Sequence, residues 1–131
     1  MGKKKYLIDT NIIIYYFGLV LNKQSSEFLE NVLNAKYHIS VINRIELLGT
    51  KNLSERQFQA LESFINNAIT FTLQEDIVVK TIELRRNYHI KLPDAIIAAT
   101  CLVNDCCLIT NNQKDFNKID GLDTLALEVN A

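Results

Sequence analysis

Four acidic residues lie beside apolar segments at positions from which their carboxylates could be gathered into one site. Asp9 directly follows the apolar segment 6–8, and Asp94 is in the first turn of the most apolar stretch of the chain. Glu46 lies in an amphipathic segment, and Asp115 follows the apolar residues 106–109. Carboxylates that converge repel one another, which a fold tolerates mainly when a cation lies among them. Asp and Glu oxygens without His or Cys favour Mg²⁺ or Mn²⁺, ions that activate water in phosphodiester cleavage.

Each acid also has a purely structural interpretation. Asp9 could cap a helix N-terminus, because Asp accepts a hydrogen bond from a free N–H of the first turn. Glu46 could be a solvated helix residue, and the charge of Asp94 suits the dipole of its own helix. Asp115 could be an ordinary turn residue. Only their joint occurrence favours a metal site.

Short apolar segments alternate with longer amphipathic or apolar ones, and this pattern predicts the strands and helices that would position the four acids. Segments 6–8, 37–40, 69–73, 106–109 and 124–129 are typical of strands, and amphipathic or apolar segments between them are typical of helices. This alternation predicts an α/β protein with a parallel sheet and helices on both faces. The first strand is predicted to be central, which places Asp9 at the carboxyl edge, where such sheets bind ligands.

The spacing of apolar residues also predicts which helix faces are buried. In helix 41–48 the predicted inward residues are Ile42, Ile45 and Leu48; in helix 54–65 they are Phe58, Leu61 and Ile65. A further helix, 25–33, is predicted to begin with a serine cap at Ser25.

Composition excludes several classes of protein. The 131 residues include 14 basic and 15 acidic ones, so no global field draws the chain to a polyanion. Four glycines form no phosphate-binding loop, and His38 and His89 lie in no zinc or triad motif. No apolar run approaches the ~20 residues of a membrane span. The lengths of these runs predict no membrane association. The three cysteines lie in apolar surroundings and form no C-x-x-C motif, which predicts core residues in a reducing cytoplasm.

Four motifs in order closely resemble those of the PIN domain family, and more narrowly the VapC-type toxins of bacterial toxin–antitoxin pairs. They are LIDTN at 7–11, RIELLG at 44–49, LPDAIIAAT at 92–100 and LITNNQKDF at 108–116. The resemblance covers nearly the whole chain. It implies a single PIN-like nuclease domain over 1–131, with a three-layer fold in which helices flank a central five-stranded parallel sheet.

The resemblance also implies an activity and partners. The expected activity is that of a Mg²⁺- or Mn²⁺-dependent endoribonuclease acting on single-stranded RNA, and the expected partners are a cognate antitoxin and a second copy of the chain. Asp9, Glu46 and Asp94 match the three core acids of the family, and Asp115 is taken as the fourth. By the same resemblance, Asp9 and Asp94 would hold the principal ion, with Glu46 and Asp115 orienting water or holding a second. Supporting roles fall to the following residues: Asn11, Thr110 and Asn112, the last as a neutral partner of Asp115.

Basic residues offer phosphate contacts, which give affinity without base specificity. The candidates are Arg85, Lys51 and Lys91, followed by Lys3, Lys4, Lys5, Arg56 and Arg86. Arg85 is favoured because it lies near the end of the helix that leads to Asp94. The apolar segments 12–17 and 28–33 suggest a groove for an amphipathic antitoxin helix.

Two other functions remain open. A phosphatase of the haloacid-dehalogenase type also places an aspartate after its first strand, but it needs a second aspartate two residues later, where this chain has Asn11. A PIN-like fold that has lost its metal could instead serve as an RNA- or protein-binding module. Binding of a divalent ion would separate this module from an active nuclease.

Overall fold

A five-stranded parallel sheet forms the centre of the computed structural model, which describes residues 4–130. The strands are β1 (Lys5–Ile8), β2 (His38–Ser40), β3 (Ile69–Phe71), β4 (Cys106–Ile109) and β5 (Thr124–Leu125). Their order across the sheet is β3-β2-β1-β4-β5. The predicted fold is confirmed, and β1 is its central strand.

Alternate residues of the central strands β1 and β4 pack in two separate hydrophobic cores, one on each face of the sheet. Leu7 on β1 is paired in register with Leu108 on β4, and both side chains belong to the first core. The next pair, Ile8 and Ile109, belongs to the second core. All four side chains are 0% exposed, as expected of strands buried on both faces.

Seven helices complete the described chain and cover both faces of the sheet. They are α1 (Thr10–Phe17), α2 (Lys23–Ala35), α3 (Val41–Leu48), α4 (Glu55–Asn66), α5 (Glu75–Asn87), α6 (Leu92–Asn104) and α7 (Gln113–Phe116). Buried residues of α5, α6 and α7 pack in the first core, and those of α1, α2 and α4 pack in the second. The result is the expected three-layer arrangement. None of the helices between residues 4 and 130 combines the length and apolar character needed to cross a bilayer.

The predicted inward face of α3 is wrong. Ile45 is 63% exposed, while Asn43 and Leu47 are 0% exposed. Ile42 and Leu48 are only partly buried against the cores. The helix is rotated from the predicted orientation because the amide of Asn43 finds hydrogen-bond partners inside the protein, which makes its burial possible.

Two predictions for the helices of the second core also need correction. Ser25 does not cap α2: the cap is Asn22, whose side chain accepts a bond from Ser25 N. Ser25 lies within the helix, where its hydroxyl accepts a bond from Glu128 N. Phe58 of α4 is 37% exposed, and the inward face is formed by Leu61, Phe64 and Ile65.

The last strand is shorter than predicted. Pairing with β4 ends at Leu125, and Val129 forms an isolated antiparallel bridge with Leu21. The pairing of β4 with β5 ends because the side chain of Asn111 forms hydrogen bonds with both backbone groups of Leu127. It donates to the carbonyl at 2.8 Å and accepts from the N–H at 2.8 Å. The three cysteines are free thiols buried as predicted.

Candidate active site

Asp9 stands at the carboxyl end of the central strand and is almost fully buried. Its backbone N–H still bonds to Ile109 of β4, at 2.9 Å, while its side chain caps α1 by accepting from Thr10 N at 2.9 Å. The other carboxylate oxygen accepts a 2.7 Å bond from the hydroxyl of Thr110. Asp9 therefore serves as the helix cap proposed from the sequence, and its side chain is held in one orientation by Thr10 of α1 and by Thr110, which follows β4.

Glu46 is tied to the same strand end through Thr10. The hydroxyl of Thr10 donates to Glu46 Oε1 at 2.7 Å and accepts from Asn43 Nδ2 at 3.0 Å. The same amide nitrogen lies 3.5 Å from Asp9 Oδ1. The otherwise exposed Glu46 side chain is thus directed toward Asp9.

Asp115 lies in the short helix α7 rather than in a loop. Its carboxylate accepts a 3.0 Å bond from Asn112 Nδ2, the neutral partner suggested by the sequence. The backbone of Asn112 in turn donates to the hydroxyl of Thr110 at 3.0 Å, and Asn11 Nδ2 lies 3.5 Å from that hydroxyl. Thr110 therefore connects the supporting residues to Asp9.

Asp94 lies half-buried in the first turn of α6, within electrostatic range of the other three acids. Burial raises the pKa of its carboxyl, and the charges of Asp9, Asp115 and Glu46 raise it further, while Lys91 lowers it. The pKa of Asp9 is also raised, first by burial and then by Glu46, against the hydrogen bonds that lower it. The structure therefore brings the four predicted acids into one electrostatic cluster in which like charges interact.

The donor chemistry of this cluster suits an ion that prefers oxygen. Within residues 4–130, no three His, Cys, Asp or Glu side chains lie close enough together to enclose a metal ion. Mg²⁺ normally keeps several waters and takes only one or two carboxylates from the protein, so it needs no closed cage. The residues present fit Mg²⁺ or Mn²⁺ in this open mode.

Only some of the predicted RNA-binding residues lie near the four acids. Lys91 directly precedes α6 and is close enough to Asp94 to affect its pKa. Arg85 and Lys91 line a groove that also includes Asp115. Lys51 is exposed in the turn after α3, and no described contact of the four acids involves it. Lys3 lies outside the described residues.

A family model described as PIN domain matches residues 6–122, nearly the whole chain. The chain belongs to the PIN domain family. This confirms the resemblance drawn from the four motifs. The comparison with curated proteins gave no match.

Solved structures similar to this PIN domain include a toxin–antitoxin complex and two VapBC structures. One from Klebsiella pneumoniae is 32% identical, covers 90% of this chain and 95% of its own, and has a TM-score of 0.74. VapBC-1 from nontypeable Haemophilus influenzae is 27% identical, with coverage of 92% and 96% and a TM-score of 0.75. VapBC2 from Rickettsia felis, solved bound to a DNA fragment from its promoter, is 23% identical, with coverage of 92% and 97% and a TM-score of 0.77. The last likeness shows the fold alone.

Two residues of this PIN domain site were not predicted to belong to it. Thr10 joins Asp9 to Glu46, and Asn43 supports both Thr10 and Asp9. The sequence did contain a signal for Asn43. It lies three residues after Ser40, the spacing of a capping box, and the structure has that box, with Asn43 Oδ1 accepting from Ser40 N at 2.8 Å.

Asn43→Ala should destabilise the PIN domain by about 2–3 kcal/mol, because it removes a fully buried amide and leaves the buried N–H of Ser40 without its partner. Asn31→Ala, an exposed change in the middle of α2, should stay within about 0.5 kcal/mol of the parent. Urea unfolding of the two variants measures the difference. Equal free energies of unfolding would show that the hydrogen bonds of Asn43 do not contribute to stability.

Proposed function

We propose that this PIN domain is a Mg²⁺- or Mn²⁺-dependent endoribonuclease that cleaves single-stranded RNA and is the toxin of a cytoplasmic toxin–antitoxin pair. The observation that carries this proposal is the cluster of Asp9, Glu46, Asp94 and Asp115 at the carboxyl edge of the sheet. Burial raises the pKa of Asp94, the charges of Asp9, Asp115 and Glu46 raise it further, and the charge of Lys91 lowers it. An arrangement that repels itself in this way is explained if a divalent cation completes it.

Asp9 and Asp94 would hold the principal ion. A bound divalent ion supplies Lewis-acid chemistry, polarising a phosphoryl oxygen and lowering the pKa of a water molecule. Glu46 and Asp115, each fixed by one side-chain hydrogen bond, would orient water or help hold a second ion.

The protein's own contribution is to preorganise these carboxylates. Both oxygens of Asp9 already accept hydrogen bonds, so its orientation does not depend on the ion. Thr10 holds Glu46, and Asn112 holds Asp115. Less reorganisation is then needed when the substrate phosphate arrives, which is where preorganised electrostatics lowers a barrier.

The direct test is incubation of the purified chain with single-stranded RNA in Mn²⁺, in Mg²⁺ and in chelator. Cleavage is expected with either ion and should stop in chelator. Absence of cleavage under all conditions, in a protein shown to bind Mn²⁺, would contradict the assignment.

The partner side of the proposal rests on relatives and on exposed apolar residues. The Klebsiella relative was solved as a toxin–antitoxin complex, and the Haemophilus relative is VapBC-1. In this chain the end of α1 and the turn after it expose Ile14, Phe17, Leu19 and Val20, with Leu19 83% exposed. These residues would receive an apolar helix of a cognate antitoxin, and the chain would form a homodimer. Of the two segments suggested by the sequence, only the first supplies large exposed apolar side chains.

Leu19→Asn should weaken antitoxin binding by about 1–2 kcal/mol without loss of stability. Leu19 has φ 57, a left-handed conformation that Asn tolerates better than Leu, and Asn removes the apolar side chain from the surface. Calorimetric titration with the protein encoded beside this gene measures the affinity, and melting curves check the fold. Parental affinity would exclude Leu19 from the interface.

A metal-free binding module is the second candidate. It is favoured by the finding that no three potential ligands within residues 4–130 lie close enough together to enclose an ion. Isothermal titration with Mn²⁺ separates the two candidates, because the module predicts no binding. The phosphatase alternative is disfavoured, since Asn11 occupies the position of its second acid and contacts Thr110.

A further inference from the structure

A groove of about 550 Å³ opens beside the acid cluster, between the end of α5, the segment 88–91, the start of α6 and α7. Its lining includes four cationic side chains and two rings: Arg85, Lys91, Lys114, Lys118, Tyr88 and His89. The volume lies within the range of small-molecule sites, about 300–1,000 Å³. It is large enough for one nucleotide unit and too small to seat a duplex.

The groove is strongly positive in a chain whose net charge is only −1. Asp115 is the single acid in its lining. The ion pairs among the described residues are Lys4–Asp123 and Lys80–Glu83, so no carboxylate pairs directly with the cations of the groove. A concentration of cations that form no direct ion pairs attracts an anionic ligand.

Two of the cations also build the wall of the groove. Arg85 Nη1 donates to the carbonyl of Ile90 at 2.7 Å, and Lys118 Nζ donates to the carbonyl of His89. Tyr88 is fixed as well, since its hydroxyl accepts from Asp120 N at 3.1 Å. Arg85 and Lys118 each retain further N–H donors, and Lys91 is exposed. The groove is thus formed before any ligand binds.

We propose that this groove binds the nucleotide of single-stranded RNA next to the scissile bond, with its phosphates on Lys91 and Lys114 and its base against His89 and Tyr88. This assignment rests on the proposed ribonuclease function. Cations together with rings are the combination that binds single strands, because phosphates supply charge and every base can stack. Asp115 belongs to both the groove and the acid cluster, so a strand lying in the groove reaches the carboxylates.

The test measures RNA binding in chelator, where cleavage is absent, by fluorescence anisotropy of a labelled single-stranded oligomer over a range of salt concentrations. Lys91→Ala with Lys114→Ala should weaken binding about tenfold at ~0.1 M salt and reduce the salt slope by about 1.4, or 0.7 per lost phosphate contact. The matched control is Lys23→Ala with Lys36→Ala, two exposed lysines of α2 and its C-cap in the opposite layer, which should bind as the parent does. Both doubles remove two positive charges.

The base contact has a separate readout. The parent should bind the oligomer several-fold more tightly than an abasic strand of the same length, and His89→Ala should narrow that difference. An unchanged difference would overturn the placement of the base against His89.

These measurements distinguish failure of the groove proposal from failure of the ribonuclease proposal. Parental RNA affinity in the Lys91/Lys114 double, in a parent that cleaves RNA, would overturn the groove and leave the ribonuclease proposal standing. Groove-dependent binding in a parent that never cleaves would support the groove and count against catalysis. No binding of RNA by the folded parent would overturn the groove.

Discussion

Asp94→Asn should reduce Mn²⁺-dependent RNA cleavage by more than about a hundredfold while leaving the protein folded. Loss of a residue that only supports a metal ligand already costs about 10–100-fold, and we propose Asp94 as a direct ligand. The substitution keeps the shape of the side chain, and the helix-terminal charge it removes is worth about 2 kcal/mol at most. Initial rates of cleavage and circular dichroism measure the two effects.

Asp105→Asn is the matched control for this substitution. Asp105 ends the same helix at the opposite edge of the sheet, and its φ of 55 is a conformation that Asn accepts. Its cleavage rate should equal that of the parent. Undiminished cleavage by the Asp94 variant, from a preparation free of contaminating nuclease, would rule out the catalytic assignment.

Binding of Mn²⁺ should also raise the melting temperature of the parent, and this rise should be absent from the Asp94→Asn variant. At about a hundredfold excess over its dissociation constant, Mn²⁺ should stabilise the parent by about 2.7 kcal/mol. For a domain of this size that corresponds to a rise in melting temperature of about 10 °C. The variant should show little of this rise, because one of the two principal ligands is gone.

In chelator, replacing Asp94 should not destabilise the protein, whereas neutralising an ordinary acid at a helix N-terminus does. The pKa of Asp94 is raised, first by burial and then by Asp9, Asp115 and Glu46, so its ionised form is disfavoured in the folded state at neutral pH. Asp94→Asn should therefore melt no lower than the parent at pH 7. The advantage should shrink as pH falls through the raised pKa, and vanish below the unfolded-state value of about 3.9.

Asp105→Asn should keep the full response to Mn²⁺. The metal site would be excluded if the parent ignored Mn²⁺ and the Asp94 variant melted lower than the parent in chelator. That pattern would leave Asp94 as a charge that merely complements the dipole of α6.

The fold could be predicted where the decisive signals were local. Apolar runs such as the segments containing Leu7 and Leu108 identify strands buried on both faces, and their alternation with helices implies a parallel sheet. Local patterns failed where a distant partner decided the outcome. Ile45 is turned outward because Asn43 is buried, and Asn43 is buried because Thr10 and Asp9 accept its amide.

The site could be predicted to a similar extent. The four acids were identified because each lies in a motif, and the structure brings them together. The connection between Glu46 and Asp9 through Thr10 spans 36 residues of sequence, so nothing in either motif reveals it. The basic groove was only partly anticipated through Arg85 and Lys91, because Lys114 and Lys118 join it only once α7 has packed beside α6.

The central position of β1 determines when the cluster of four acids can assemble during synthesis of the chain. Leu7 pairs with His38 on one side and with Leu108 on the other, so the two neighbours of the first strand leave the ribosome at very different times. A nascent chain that ends before Asp94 can pair β1 with β2, but it lacks two of the four acids and Thr110, which orients Asp9. For a protein that we propose cleaves RNA, products that terminate before Asp94 therefore lack the site. The transcript being translated is not exposed to an assembled site until Thr110 and Asp115 have been made.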